Sequence, residues 1–254
     1  MSPLSARFDH LVVAVEDLDE AAARWRAAGL RAERGGAHPV GTENVLVRGP
    51  GAAYVELIAA GRDESNPWLD RVRSARGPIS WAIAVDDVDD ARAALATAGF
   101  DPDPAVDGSR RTPHGDLVEW RVCDVGPGPY DDSLPFLIEW ITPMAPGPAD
   151  GAVVESLGLT PPDPDRLARL LTAVGMVPSE HWPNRVFHEV GDATGITLNP
   201  LGEPEDLGPA SWSMSWEEPD GPPTSLSLTI PTGEPARHVL DGVAVSTRPD
   251  RRGA

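Results

Sequence analysis

Three residues combine a reactive side chain with apolar, strand-like surroundings. They are His10 in Phe8-Asp9-His10-Leu11-Val12-Val13-Ala14-Val15, Glu56 in Tyr54-Val55-Glu56-Leu57-Ile58, and Glu139 in Leu137-Ile138-Glu139-Trp140-Ile141. A metal-bound carboxylate can take a proton from a carbon next to a carbonyl. Buried carboxylates need compensation, because an unpaired buried charge is very costly. A metal ion, an arginine or a cationic ligand would each supply it. A satisfied core histidine and two half-buried acids bonded to Arg111, Arg121 or backbone would meet the same requirement without any chemistry.

These residues sit in a pattern that recurs. Val15-Glu16-Asp17-Leu18-Asp19-Glu20-Ala21 aligns with Val85-Asp86-Asp87-Val88-Asp89-Asp90-Ala91. Each ends an apolar run, passes an acidic turn and enters an Ala/Arg-rich helix that stops at Ala-Gly, at Ala28-Gly29 and Ala98-Gly99. The segments around Glu56 and Glu139 form a second echo. The chain therefore reads as internally duplicated. In this register His10 falls opposite Ser80, and Glu56 opposite Glu139.

The elements follow from local pattern. Residues 8–15 read as a buried strand. Asp17 or Asp19 caps the next helix, and Gly29 stops it. Residues 35–44 are too Gly-rich for a regular element; strands follow at 45–47 and 53–59. A short helix starts near Asn66-Pro67-Trp68. The second unit repeats the plan with a strand from Ile79, a helix over about 88–98, a Pro-broken loop over 101–109, and strands at 117–122 and 135–141. Residues 142–150 read as a linker. Beyond it, a strand at 153–157 and a helix ending at Gly175 look like a third βα start, followed by strands at 195–198, 225–230 and 239–245.

The 254 residues suffice for two or three modules with a core. The formal charge of -19 opposes nucleic acid and anionic membrane surfaces, which need clustered basic residues. Its plain meaning is solubility. No apolar stretch is long enough to span a membrane, and Met1 to Arg7 lack a signal-peptide design. Cys123 is the single cysteine, so no intrachain disulfide forms and a cytoplasmic location is expected. No dinucleotide fingerprint, P-loop or nucleophile elbow is present.

Two βαβββ units, with His near the start of the first strand and Glu in the closing strand, resemble the vicinal oxygen chelate superfamily. Within it the chain looks like the glyoxalase-like domain family. The matching words are Phe8-Asp9-His10-Leu11-Val12, the segment 36–44, Tyr54-Val55-Glu56-Leu57-Ile58, Arg111-Thr112-Pro113, and Leu134-Pro135-Phe136-Leu137-Ile138-Glu139-Trp140. They cover about residues 7–175. The resemblance implies an α+β fold of paired βαβββ modules, at 7–61 and 78–142, forming a curled-sheet cup. A degenerate α/β module over 152–247 would be the third.

In metal-dependent members, a His/Glu pair from module one and a His or Gln plus Glu from module two chelate a divalent ion. Carried over, the resemblance places His10, Glu56 and Glu139 as ligands of Fe, Mn, Zn or Ni, with Ser80 in the remaining place, where serine is a poor ligand. A His, Glu, Glu set leaves positions open for a substrate with adjacent oxygens, and Glu56 or Glu139 would act as base. His38, Thr42, Asn44, Arg111 and Trp140 are the expected substrate contacts, Arg111 through a bidentate grip on an anion. Two functions are expected in parallel. One is a metal-assisted lyase, isomerase or dioxygenase acting on a small molecule. The other is a metal-free resistance-type protein that sequesters a small molecule. An odd module count suggests pairing with a second chain as a homodimer. His181 and His188, with Glu180 and Glu189, fit no ligand spacing, and Trp182, Trp212 and Trp216 read as cover for a sheet or interface.

Overall fold

The computed structural model describes residues 4–61, 66–126, 134–178, 195–199, 211–215 and 224–250. The first unit runs β1 (Ala6–Ala14), α1 (Leu18–Ala27), β2 (Ala32–Ala37), β3 (Thr42–Val47) and β4 (Tyr54–Ala60). A connecting helix, α2 (Pro67–Ser74), leads to β5 (Gly77–Val85), α3 (Val88–Thr97), β6 (Val106–Arg111), β7 (Leu117–Cys123) and β8 (Phe136–Trp140). The duplicated acidic turns do one job twice. Asp17 accepts the N–H groups of Asp19 and Glu20, and Asp87 those of Asp89 and Asp90. Each satisfies donors that a helix start leaves free, and the acidic first turns suit the helix dipole. Asn66 caps α2, whose first residue is Pro67.

The eight strands form a closed barrel in the order β1-β4-β3-β2-β6-β7-β8-β5. β1 and β5 pair antiparallel at its centre; each also pairs in parallel with the last strand of its own unit. The expected cup is therefore closed within one chain, through the contact of Ala37 with Arg111 between β2 and β6. Two segments expected to be irregular supply this closure. Part of the Gly-rich stretch 35–44 lies in β2 and β3, and Pro-broken 101–109 enters β6. Pairing partners on both sides outweighed their poor strand propensity.

Alternation divides the strands into two faces. Phe8, Leu11, Val13, Val55, Leu57, Trp81, Ile83 and Leu137 face outward into one core with α1 and α3. Val12, Ala14, Ile58 and Ile79 face inward and pack on Val72 and Trp68 of α2. That helix closes the end of the barrel at which β3 begins; Asn66 also donates to the Val40 carbonyl there. No described helix is long and apolar enough to cross a membrane.

The pairing registers fix the internal symmetry. His10 pairs with Ala82 and Val12 with Ser80, so adding seventy to a β1 number gives its β5 counterpart, and Ser80 is the equivalent of His10. In the parallel pairs, Val12 meets Glu56 while Ala82, its counterpart, meets Phe136. The counterpart of Glu56 is thus Phe136. The sequence echo that matched Glu56 to Glu139 is three residues out, and an odd slip turns a side chain to the other face.

The C-terminal part runs β9 (Val153–Leu159), α4 (Pro164–Ala173), β10 (Val177–Pro178), β11 (Gly195–Asn199), β12 (Ser211–Ser215), β13 (Thr224–Ile230), β14 (Ala236–Leu240) and β15 (Val243–Pro249). Its seven strands are ordered β10-β12-β11-β9-β13-β15-β14. The βα start is as expected. The later strands add a feature the sequence did not suggest: β13-β15-β14 repeats the order and directions of β1-β4-β3 without a helix. Leu167, Leu170, Leu171 and Val174 join the outer core of the barrel. Asp241 fastens the two parts, accepting from Arg24 at 2.7 Å and from Trp25 Nε1 at 2.8 Å.

The linker at 142–150 is packed as it leaves the barrel. A Cβ on Gly151 would overlap the Arg48 carbonyl oxygen and crowd Gly49 Cα at 2.7 Å. Backbone cannot step aside as a side-chain tip can. Gly151→Ala is expected to cost about 1–3 kcal/mol, read as a lower urea midpoint with an unchanged m-value; a midpoint equal to wild type would show that this crossing is loose.

Candidate functional site

A β-bulge builds the site. Between Phe8 opposite Ile83 and His10 opposite Ala82, Asp9 is an extra residue with no partner on β5. A bulge of this kind re-aims side chains locally, and here it lets Asp9 and His10 act on the same inner face. Asp9 Oδ1 lies 2.6 Å from His10 Nδ1, and Asp9 Oδ2 accepts Trp140 Nε1 at 2.9 Å. A carboxylate only accepts, so Nδ1 carries the imidazole proton. His10 Nε2 is thereby turned to Glu56 Oε2, 3.6 Å away. The ring is stacked on Tyr54 with centroids 4.7 Å apart, and the edge of Phe136 stands at 5.5 Å. Asp9, His10 and Glu56 are all buried.

Glu56 is held from its other oxygen. Asn44 Nδ2 donates to Oε1 at 2.5 Å, and His38 Nε2 lies 3.7 Å from the same atom. His38 Nδ1 is 2.8 Å from Thr42 Oγ1. The Gly-rich segment thus delivers His38, Thr42 and Asn44 to Glu56 together. Burial pushes the His38 pKa down, and the charges of Arg110 and His10 act in the same direction against the pull of Glu56. Burial likewise raises Tyr54 well above the usual phenol range, so its hydroxyl stays protonated.

Aromatic side chains complete the wall. Trp120 meets Trp140 at 5.6 Å and His38 at 5.9 Å between centroids. Trp120 lies across Gly108, where a Cβ would overlap its indole nitrogen. Arg110, two residues further along β6 and on the same face, is the buried arginine among the described residues. It donates to the Gly35 carbonyl and approaches Met144 Sδ at 3.7 Å.

Of the residues expected to act together, His10, Glu56, His38, Thr42, Asn44 and Trp140 are gathered here. Glu139 is not. It turns to the outer face, 3.2 Å from Arg121 Nη1, and accepts the Val88 N–H at the start of α3 at 3.2 Å. Its surroundings are those of a helix-capping acid. Arg111 is exposed, and its Nη1 donates to the Gly115 carbonyl of its own hairpin at 2.9 Å; strand parity gives the inward place to Arg110. Ser80 stands opposite Val12 rather than near Glu56. Asp9, Tyr54, Phe136 and Arg110 were not singled out from sequence. The signals were two adjacent polar residues inside one apolar strand, and Gly108 spaced two from Arg110. His181, His188, Glu180, Glu189, Trp182 and Trp216 lie outside the described residues, as does the side chain of Trp212.

These surroundings test the expected divalent metal. Two of the four positions that would carry ligands hold Ser80 and Phe136, and the ring of Phe136 faces His10 directly. Among the described residues no group of three or more His, Cys, Asp or Glu side chains is arranged to hold an ion. The donor set does not fit one. What remains is an acid–base pair, His10 and Glu56, enclosed by aromatic rings and one buried cation.

The family model described as a glyoxalase-like domain matches residues 8–175. No curated protein matches the chain. A hypothetical protein from Staphylococcus aureus has a TM-score of 0.65 at 15% identity, with 96% of this chain and 100% of that one covered. That likeness concerns the fold, and it extends over the C-terminal sheet. A variant of methylmalonyl-CoA epimerase from Streptomyces coelicolor, in complex with 2-nitronate-propionyl-CoA, has a TM-score of 0.40 at 22% identity over 56% of this chain and 99% of that one. Methylmalonyl-CoA epimerase from Mycobacterium tuberculosis has a TM-score of 0.40 at 21% identity over 55% and 91%.

The lowered pKa of His38 has a consequence for stability. Below its ordinary value of 6.5 the unfolded chain binds a proton that the folded site resists. His38 therefore leaves stability intact above that value and subtracts from it as pH falls towards the folded pKa. Denaturant midpoints taken from about pH 7.5 to about pH 5.5 should fall more steeply for wild type than for His38→Gln. Identical slopes would contradict the burial of a neutral imidazole.

Proposed function

We propose, from the premise that the chain belongs to the glyoxalase-like domain family, that its barrel is a small-molecule site working by side-chain proton transfer. The reaction class is an isomerase or lyase step at a carbon next to a carbonyl. The Asp9–His10–Glu56 chain inside the closed barrel carries this reading. Glu56 takes the proton from carbon. His10 Nε2, aimed at Glu56 by the Asp9 contact at Nδ1, shares and returns it. Tyr54 keeps its hydroxyl proton and can donate to the oxygen that gains charge. Asn44 and the neutral His38 orient the carboxylate without adding charge. Shielding from water strengthens each of these interactions.

A second reading is a binding cup without chemistry, and Ile79, Ser80 and Phe136 favour it. They replace Asp9, His10 and Glu56 in the second unit, and so leave that part of the interior without an ionisable group.

Deuterium exchange separates the two. The full chain is incubated in D2O with a panel of small ketones, 2-oxo acids and 2-hydroxy ketones, and loss of the carbon-bound proton is followed by NMR. Exchange above the uncatalysed rate is expected for at least one compound. Glu56→Gln should lower it by at least about 100-fold, within the span of general-base effects. A panel member that binds without exchanging supports the binding cup; exchange that survives Glu56→Gln removes Glu56 as the base.

A further inference from the structure

Two arginines beside Tyr54, Arg48 and Arg110, form no ion pair among the described residues. All 21 basic residues of the chain are arginine, set against 40 acidic residues. Several surface arginines meet a carboxylate, as Arg24, Arg31, Arg34, Arg76, Arg92, Arg121 and Arg248 do. Arg110 is 6% exposed. Its described contacts are the Gly35 carbonyl and the Met144 thioether, both uncharged. Arg48 follows β3 where the register with β4 brings it opposite Tyr54. Its Nη1 donates to the Ala145 carbonyl at 2.9 Å. Met144 and Ala145 are neighbours, so the linker holds both guanidinium groups beside Tyr54. Burial and the charge of Arg110 depress the Arg48 pKa, against a smaller opposing pull from Tyr54 and Glu33.

A buried guanidinium beside another cation, with no carboxylate in contact with either among the described residues, has room in its charge balance for an anion. We propose that Arg48 and Arg110 form an oxyanion-binding subsite beside Tyr54, so that the molecule entering the barrel carries a carboxylate or phosphate group. The rest of that molecule then extends past Tyr54 to His10 and Glu56. Arginine suits the task because its planar fork matches such groups with paired hydrogen bonds. This inference rests on the barrel being the small-molecule site, but not on which residue moves a proton.

Calorimetric titration of the full chain tests it with three probes: pyruvate, hydroxyacetone as the neutral ketone of similar size, and inorganic phosphate. Wild type should bind an anion at least about 10-fold more tightly than hydroxyacetone, the scale of a charged hydrogen bond. Preference for pyruvate assigns a carboxylate, and preference for phosphate assigns a phosphate ester. Arg48→Gln and Arg110→Gln should lose the preference. Arg48→Gln gives a usable result even if Arg110→Gln does not fold. Glu56→Gln should keep the preference, so a failure of the proton-transfer reading leaves this result standing. Equal affinity for charged and neutral probes, no binding of either anion, or a preference unchanged in the arginine variants would overturn the subsite.

Discussion

Asp9 has no partner on β5, and the interior of the barrel depends on that extra residue. A regular strand would send Asp9 and His10 to opposite faces. Asp9 would then lie in the outer core against the helices, where no described arginine or amide waits for it. The bulge instead sets the carboxylate against His10 Nδ1 and Trp140 Nε1 at once. The contact to Trp140 spans the two units, so the second unit fixes the imidazole of the first. The approach of His10 Nε2 to Glu56 Oε2 follows from that fixed ring.

The same bulge recurs at Ile79, where β5 slips against Val12 and Val13. There the duplicated architecture carries an apolar residue, with the uncharged Ser80 and Phe136 in the places of His10 and Glu56. The fold thus kept two equivalent frames and equipped one of them. Apolar residues of both units, Val12, Ala14, Ile58, Ile79 and Phe136, pack with α2 and close one end of the barrel. Arg48 from the first unit and Arg110 from the second meet the linker at Ala145 and Met144. An apolar floor against α2 and two guanidinium groups near Tyr54 give the interior a direction.

The architecture was legible because its signals are local and repeated. Acidic caps, Ala-Gly stops and Val-rich runs name the βα starts, and their duplication names the pairing of units. His10 and Glu56 were legible as reactive groups in apolar strands, and the stretch with His38, Thr42 and Asn44 as a segment serving them. Parity was not legible. The words around Glu56 and Glu139 look alike, yet the pairing of Ala82 with Phe136 places Glu139 on the outer face. Arg110 and Arg111 differ by one position and by the whole thickness of the sheet. Strand register depends on partners distant in sequence, so a three-residue slip in an alignment costs nothing until the sheet is assembled. The strands after β12 were read from their apolar pattern, but their module-like order was not, because a module without its capped helix has no local signature.

The state of His10 is the most direct measure of this account. Nitrogen-15 NMR of histidine-labelled protein reports which ring nitrogen carries the proton. The Asp9 contact predicts a protonated Nδ1 on His10, with its proton signal lost in Asp9→Ala and the Trp140 Nε1 proton shifted in the same variant. A His10 ring protonated at Nε2 with Nδ1 bare, unchanged when Asp9 is removed, would contradict the bulge as the device that builds the site.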